Sequence, residues 1–166
     1  MTHMKWNNSI SNDYNFNWAF IIDDDVLVFP EGIKAFLNEN ANYSEAYGTP
    51  GCGSHNIGGF CGGGGYAISK QAIGLIIEKS GSSKNFLYSY MDKAKELEYS
   101  DIVTSWFLQE HGIQLKPMPG LHPWKTDENS LDKIKDYIQK GNPVYSLHYV
   151  TGSMKNYTLI VNNAKN

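Results

Sequence analysis

Trp18-Ala19-Phe20-Ile21-Ile22-Asp23-Asp24-Asp25 is an aromatic and aliphatic run that ends abruptly in three consecutive carboxylates. Its apolar part reads as a buried strand. Three like charges on adjacent residues repel one another, and carboxylates at the end of a buried strand lose hydration unless something positive compensates them. A hard divalent cation is the simplest compensation. Oxygen ligands suit Mg²⁺ or Mn²⁺, and such ions in enzymes usually hold phosphate oxygens as well. The alternative for these residues alone is a strand that runs into a solvated acidic turn. The period-two pleat would aim Asp23 and Asp25 the same way, one to bind a metal and the other a ribose, a metal-bound water or a second metal position. Asp24 would then point elsewhere. In open α/β sheets ligands sit at the carboxyl ends of strands, which is where this turn lies.

The 166 residues match one ordinary domain, long enough to bury a core without disulfides or a structural metal. Fourteen Lys plus Arg against 17 Asp plus Glu leave a net charge of -3, and the basic residues are scattered. That argues against nucleic-acid binding. No apolar run approaches the roughly 20 residues that cross a bilayer, and Met1 to Asn17 is polar with no signal-peptide core. The chain therefore reads as soluble, with a flexible lead-in over 1–17 and one domain over 18–166. Cys52 and Cys61 lack metal or redox CxxC spacing. A bridge in an oxidising compartment and two buried thiols both remain open.

Outward from the acidic turn, Val26 to Phe29 extends before Pro30, and Pro30-Glu31-Gly32 introduces a helical pattern from Ile33 to Asn38. Tyr47 to Gly65 is dense in glycine and reads as loop with at most short extended pieces. Tyr66-Ala67-Ile68 reads as a strand, with Ser69 as N-cap of a helix over Lys70 to Glu78. A polar loop leads to a mixed segment, then Ser100-Asp101 opens a helix that Gly112 ends. Ile113 to Leu115 reads as a strand, and the prolines of Pro117 to Trp124 argue against regular structure there. Ser130 to Lys140 has the spacing of an amphipathic helix, Val144 to Val150 that of a strand, and Tyr157 to Val161 that of a final strand. Alternating strands and helices indicate an α/β protein with a mixed sheet.

Other constellations bear on chemistry. Gly62-Gly63-Gly64-Gly65 needs a reason, because consecutive glycines cost backbone entropy. Either a ligand or another backbone segment approaches too closely for any Cβ, or the segment is a mobile loop. It is neither a Walker loop nor a dinucleotide fingerprint. Asp101 at a helix start is a natural cap, and its position also keeps a carboxylate ionised as a general base requires. His122 in the proline-rich loop could offer a neutral imidazole to a metal, whereas His148 on its strand reads as a hydrogen-bonded structural residue. Trp124 and Tyr149 could stack on a sugar face or belong to the core.

Taken in order, these blocks resemble the Fringe and core 1 β1,3-galactosyltransferase family, the inverting family-31 glycosyltransferases of GT-A fold. Trp18 to Asp25 resembles the family's strand and acidic motif, and Gly62 to Ser69 its GGAGY-x-hydrophobic-S block with Gly64 in place of alanine. Ser100-Asp101-Ile102-Val103-Thr104, then Gly112-Ile113, is similar to its acidic-helix block with Ser100 for the first acid. Pro119 to Pro123 resembles its F-H segment with Leu121 for phenylalanine, and Val144 to Val150, then Met154 and Tyr157, its VSFHYV strand. The resemblance implies a GT-A-like mixed sheet flanked by helices. It implies Mn²⁺ (or Mg²⁺) on Asp25 and His122, with Asp23 or Asp24 contacting the sugar nucleotide, the metal or its water. Asp101 would be the catalytic base, and Gly63, Gly64 and Gly65 would lie against donor sugar and acceptor.

The activity implied is transfer of a hexose or N-acetylhexosamine from a UDP-sugar to a hydroxyl of a glycan or glycoprotein, with β1,3 linkage, in the Golgi or secretory lumen. Family members carry a membrane anchor, a stem and a uridine-binding βαβ half before the acidic motif, whereas Met1 to Asn17 precedes it here. The expectation is therefore a domain lacking those N-terminal strands, with a reduced nucleotide pocket and a sheet edge open to homodimerisation. Two rival readings follow. One is an inactive relative serving as a carbohydrate-binding or interaction module. The other is a metal-dependent phosphohydrolase, which accounts for the acids but not for the glycine block or the His148 strand.

Overall fold

The computed structural model describes residues 16–53, 58–150, 157–159 and 161. Most of the expected lead-in, and Met154, lie outside these residues. In chain order the elements are β1 (Trp18–Ile21), β2 (Val26–Val28), α1 (Pro30–Asn40), β3 (Glu45–Gly48), β4 (Pro50–Cys52), β5 (Gly59–Phe60), a 3-10 turn (Gly62–Gly64), β6 (Tyr66–Ser69), α2 (Lys70–Lys79), α3 (Ser83–Leu97), α4 (Ser100–Glu110), β7 (Gln114–Pro117), β8 (Leu121–Thr126), α5 (Glu128–Gln139) and β9 (Ser146–Val150). The protein is α/β, with mixed sheets. One sheet runs β1-β6-β3-β7, a second β2-β9-β8, and β4-β5 form a two-stranded ribbon. Parallel pairing joins β3 to β7 and β8 to β9; the other pairs are antiparallel. None of the described helices is long and apolar enough to cross a membrane.

Period-two alternation explains why β6 is the centre of the larger sheet. Tyr66 and Ile68 join a cluster with Phe60, Ala72, Ile76 and Leu108 on one face. Ala67 joins Ile33, Leu37, Tyr47, Met118 and Leu121 on the other. A third cluster, Phe29, Ile134, Val144, Leu147, Tyr157 and Val161, lies against the three-stranded sheet. Fully burying each large apolar side chain contributes about 1.5–3 kcal/mol. The acidic turn links β1 of the first sheet to β2 of the second, so Asp23 to Asp25 stand where the two sheets meet.

Local chemistry sets the helix starts. Ser69 Oγ accepts the Ala72 N–H at 2.9 Å, the N-cap bond expected of it. Pro30 is the first residue of α1. Gly112 takes φ +77 just beyond α4, where a left-handed residue closes the helix. Asp127 and Ser130 form a capping box at α5.

Several expectations need correction. β1 is not a buried strand but the edge of its sheet, half-buried, with Ile21 39% and Ile22 45% exposed. The mixed segment after Gly81 is α3, capped by Ser82 Oγ accepting the Asn85 N–H. Glu45–Gly48, partly read as loop, is the well-paired interior strand β3. Pro123 lies within β8 despite the proline argument, because β8 is an edge strand whose register breaks between His122 and Lys125. Edges and bulges are the places where a strand tolerates a missing N–H. The described residues of 157–161 are helical rather than extended, and Tyr157 and Val161, four apart, bury the same helical face.

Cys52 and Cys61 are joined in a disulfide of sequence separation 9, with Cα atoms 5.0 Å apart. Cys61 immediately precedes the 3-10 turn. Replacing both with serine should lower unfolding free energy by about 2.5 kcal/mol, the loop-closure entropy of a ring this small. Urea denaturation of the double variant measures it, and a loss under about 0.5 kcal/mol would show that the bridge constrains little.

Candidate active site

Asp23, Asp25 and His148 come together where the sheets meet, with one ligand atom from each lying within 4.8 Å of the others. Strand pairing explains this, because Val26, next to Asp25, pairs with His148 across β2 and β9. His148 Nδ1 lies 2.7 Å from the Pro123 carbonyl oxygen. A carbonyl only accepts, so Nδ1 carries the proton and donates, and the lone pair of a neutral ring is on Nε2. That nitrogen is 3.4 Å from Asp25 Oδ1. The contact is not a hydrogen bond, and Asp25 Oδ1 is a buried oxygen with no hydrogen-bond partner. Two lone pairs facing each other call for a cation between them, either a proton on Nε2 or a metal ion.

Tethering one imidazole nitrogen to a backbone carbonyl is how proteins aim the other at a metal. One imidazole among carboxylates suits Mn²⁺ better than Mg²⁺, which prefers oxygen alone. These residues fit a divalent cation. Asp24 is exposed on the same turn and stays out of the group.

Asp101 faces the acids from α4. It is the second residue of that helix, whose N-cap, Tyr99, makes no side-chain cap bond. Asp101 Oδ1 accepts the Ile102 N–H at 2.9 Å, and Oδ2 accepts the Gly62 N–H at 2.7 Å. Asp101 is not the N-cap residue, but its carboxylate serves a first-turn N–H of its own helix with one oxygen and ties α4 to the glycine turn with the other. Asp101, Asp23, Gly62, Tyr66 and Tyr99 line one cleft of about 170 Å³. Burial, with the nearby charges of Asp101 and Asp23 adding to it, pushes the Tyr66 phenol up to about 12. A larger groove of about 490 Å³ runs along Trp18, Phe20, Ile33 and Leu37. Its lining includes no acid, whereas Asp23 and Asp101 both line the smaller cleft.

The glycine block owes its composition to the chain's own close approach. A Cβ on Gly62 would lie 2.6 Å from the Asp101 side chain, and one on Gly63 2.4 Å from the His148 ring and 2.6 Å from the Pro123 carbonyl. Gly64 lies against the His122–Pro123 backbone, and Gly65, at φ +83, against Phe20 and Ile22. The Ser146 hydroxyl donates to the Gly64 carbonyl. One turn therefore touches Asp101 at one end and His148 at the other. Of the four glycines, Gly62 is the one that lines the cleft.

His122 stands apart from the metal group among the described residues. Its ring packs edge-on against Tyr137, centroids 5.2 Å apart, and its Nε2 is buried without a hydrogen-bond partner. Burial lowers its pKa below the usual histidine value. A histidine held neutral by folding binds its proton more readily when unfolded. Its contribution is therefore present above the unfolded value of about 6.5 and is lost as pH falls from there through the folded value. Thermal unfolding should show stability falling on acidification below about pH 6.5, with a shallower slope in His122→Phe. Identical slopes would show that another group titrates.

Of the residues singled out from sequence, Asp23 and Asp25 lie together, Asp23 and Asp101 line one cleft with Gly62, and His148, expected as a hydrogen-bonded strand residue, makes that bond to Pro123 and also lies within the Asp23–Asp25 group. The available signal was the pairing of the His148 strand with the strand after the acids, which sequence alone does not reveal. The chain matches no protein-family model and no curated protein.

Proposed function

We propose that the protein is a metal-dependent inverting glycosyltransferase of the Fringe-like, GT-A type, moving a hexose or N-acetylhexosamine from a UDP-sugar to a hydroxyl of a glycan or glycoprotein. One observation carries this reading: Asp23 belongs both to the Asp23–Asp25–His148 group and to the cleft that holds Asp101. A group able to hold a cation and a carboxylate able to act as a base thus adjoin one cleft of about 170 Å³. When bound by Asp23, Asp25 and His148, a divalent ion supplies charge neutralisation for a departing diphosphate. Asp101, oriented by two backbone N–H groups, accepts the proton of the acceptor hydroxyl as that oxygen bonds to the anomeric carbon. The bond from that carbon to the UDP oxygen breaks on the opposite face. The product is inverted, with no covalent enzyme intermediate. The disulfide agrees with work in an oxidising, secretory-type compartment.

UDP with Mn²⁺ should stabilise the protein by about 2.7 kcal/mol at a hundredfold excess over Kd, because a ligand of the folded state shifts unfolding by mass action. For a chain of this size that is a Tm rise of roughly 5–10 °C. No shift at millimolar UDP and Mn²⁺ would reject the reading. Nucleotide turnover without glycoside product would assign the cleft to phosphoester hydrolysis instead.

A further inference from the structure

The segment from Gly58 to Gly62 is bonded to α4 as one strand is bonded to another, except that side chains supply the rungs. Gln109 Nε2 donates to the Gly58 carbonyl at 2.7 Å, Ser105 Oγ accepts the Phe60 N–H at 2.9 Å, and Asp101 Oδ2 accepts the Gly62 N–H at 2.7 Å. Two residues of strand rise about 6.6 Å and four of helix about 6 Å, so the rungs stay in step. Ser105 Oγ also donates to the Asp101 carbonyl at 2.7 Å, joining the last two rungs. The packing is close enough that a Cβ on Gly59 would lie 2.8 Å from Ile102. The last rung is the Asp101 carboxylate, so the position of this segment decides how Oδ2 is held.

Cys61 turns to the opposite side. Its N–H donates to the Thr49 carbonyl at 2.8 Å, and its sulfur is bonded to Cys52. The ribbon on that side is short, three residues against two, with a register break between Pro50 and Cys52, and Pro50 has no N–H to give. A two-stranded ribbon holds itself poorly. The disulfide is therefore the strongest hold on this edge, one residue before the N–H that reaches Asp101. The far end of the glycine turn has an anchor of its own, the Ser146 hydroxyl on the Gly64 carbonyl. A change at Cys61 thus reaches Asp101 while leaving the Asp23–Asp25–His148 group in place. Cys52 is half-buried between exposed Gly51 and Gly53, whereas Cys61 is buried. An incoming thiolate meets Cys52 first.

We propose that the Cys52–Cys61 bridge is a redox switch on Asp101, closed in the active protein and opened by a dithiol reductant. One thiolate of the dithiol attacks Cys52 Sγ, the S–S bond breaks, and Cys61 leaves as a thiolate. The second sulfur of the dithiol then displaces Cys52 and closes a disulfide of its own. Two electrons and two protons pass to the protein, which ends with two thiols. The loosened ribbon lets the Gly62 N–H leave Asp101 Oδ2, and the carboxylate loses one of its two orienting bonds. The reduced protein keeps its metal group without an aligned base, so activity follows oxidation. That Asp101 is a base rests on the transferase reading above; the link between the bridge and the Gly62 N–H does not.

Amide NMR on the full chain tests it, in the oxidised protein, after dithiothreitol and after reoxidation. An N–H bonded to a carboxylate resonates downfield, so the Gly62 amide proton should move upfield on reduction and return on reoxidation. The Ala72 N–H, held by Ser69 Oγ in α2, should not move. Cys52→Ala opens the bridge and leaves the buried Cys61 in place, so it should show the reduced Gly62 position without any reductant. Its Mn²⁺ affinity should stay within about threefold of the wild type, below the 10–100-fold cost of disturbing a metal's supporting shell. Its kcat at saturating substrates should fall about 10–100-fold, the effect of displacing a reacting group by about 1 Å. Ser82→Ala, which removes a helix cap in α3, should lose stability but not kcat. A Gly62 resonance that stays put in both the reduced protein and Cys52→Ala would overturn the switch. So would loss of the folded spectrum on reduction, which would make the bridge a structural staple, or an unchanged kcat in a protein whose Gly62 has moved. Reversible movement of Gly62 in a protein that transfers no sugar in either state would support the link while removing the transferase.

Discussion

Asp101→Asn should lower glycosyl transfer by about 10²–10⁴-fold, the range a positioned general base contributes, while Mn²⁺ and UDP affinities change by less than about twofold. The asparagine is nearly isosteric, so the α4–glycine turn junction keeps its shape. Its amide has one acceptor oxygen where the carboxylate has two, and both carboxylate oxygens are in use, on Ile102 N–H and Gly62 N–H. One of those N–H groups therefore loses its acceptor. That costs about 1 kcal/mol. Loss of the negative charge from the first turn of α4 adds about 0.3–1 kcal/mol. The variant should thus melt a few degrees lower yet remain folded at 25 °C. Transfer measured at saturating donor separates the two contributions. An activity loss that vanishes when the assay is cooled well below the variant's Tm would make Asp101 a structural tie; a loss that persists makes it the base.

The parts of the fold that were legible in sequence are those set by local chemistry. Ser69 as an N-cap, Pro30 at a first helical position and Gly112 past a helix end act through bonds or φ values within a few residues. The misread parts depend on what lies alongside. No residue of α3 is fully buried: Phe86 and Tyr90 pack on Phe107 while Leu87, Tyr88 and Met91 stay exposed, so apolar residues fall on both faces and the chain pattern looks mixed. Pro123 is acceptable in a strand because β8 is an edge with a register break, and neither property is visible until β9 is placed. The apolar β1 reads as buried by composition, yet it pairs on one side with β6 and has no partner on the other among the described strands.

The site divides in the same way. The run Asp23-Asp24-Asp25 and Asp101 stand out by residue type at the ends of elements. The glycine block was legible as a demand for close approach, but the approaching groups, Asp101 and His148, are 36 and more residues away in the chain. His148 was least legible. The lone pair that its Nε2 turns toward Asp25 comes from Pro123, 25 residues earlier, whose carbonyl fixes the ring tautomer. A carbonyl has no sequence signature.

That tautomer sets up the second large effect. His148→Ala should weaken Mn²⁺ binding by at least about 100-fold, more than the 10–100-fold typical of losing a partner that merely orients a ligand. His148 Nε2 is the atom aimed at Asp25 Oδ1, and alanine leaves that buried oxygen with one fewer group to share a cation with. His122→Phe provides the contrast. It keeps a ring against Tyr137 and removes a buried nitrogen that has no hydrogen-bond partner, so Mn²⁺ affinity should stay within about threefold and stability at neutral pH should hold or rise. Titration of Mn²⁺ into each variant by electron paramagnetic resonance gives both numbers directly. The resemblance to Fringe-like enzymes implied His122 as the ligand, and the opposite outcome, with His122→Phe losing the metal and His148→Ala keeping it, would restore that assignment.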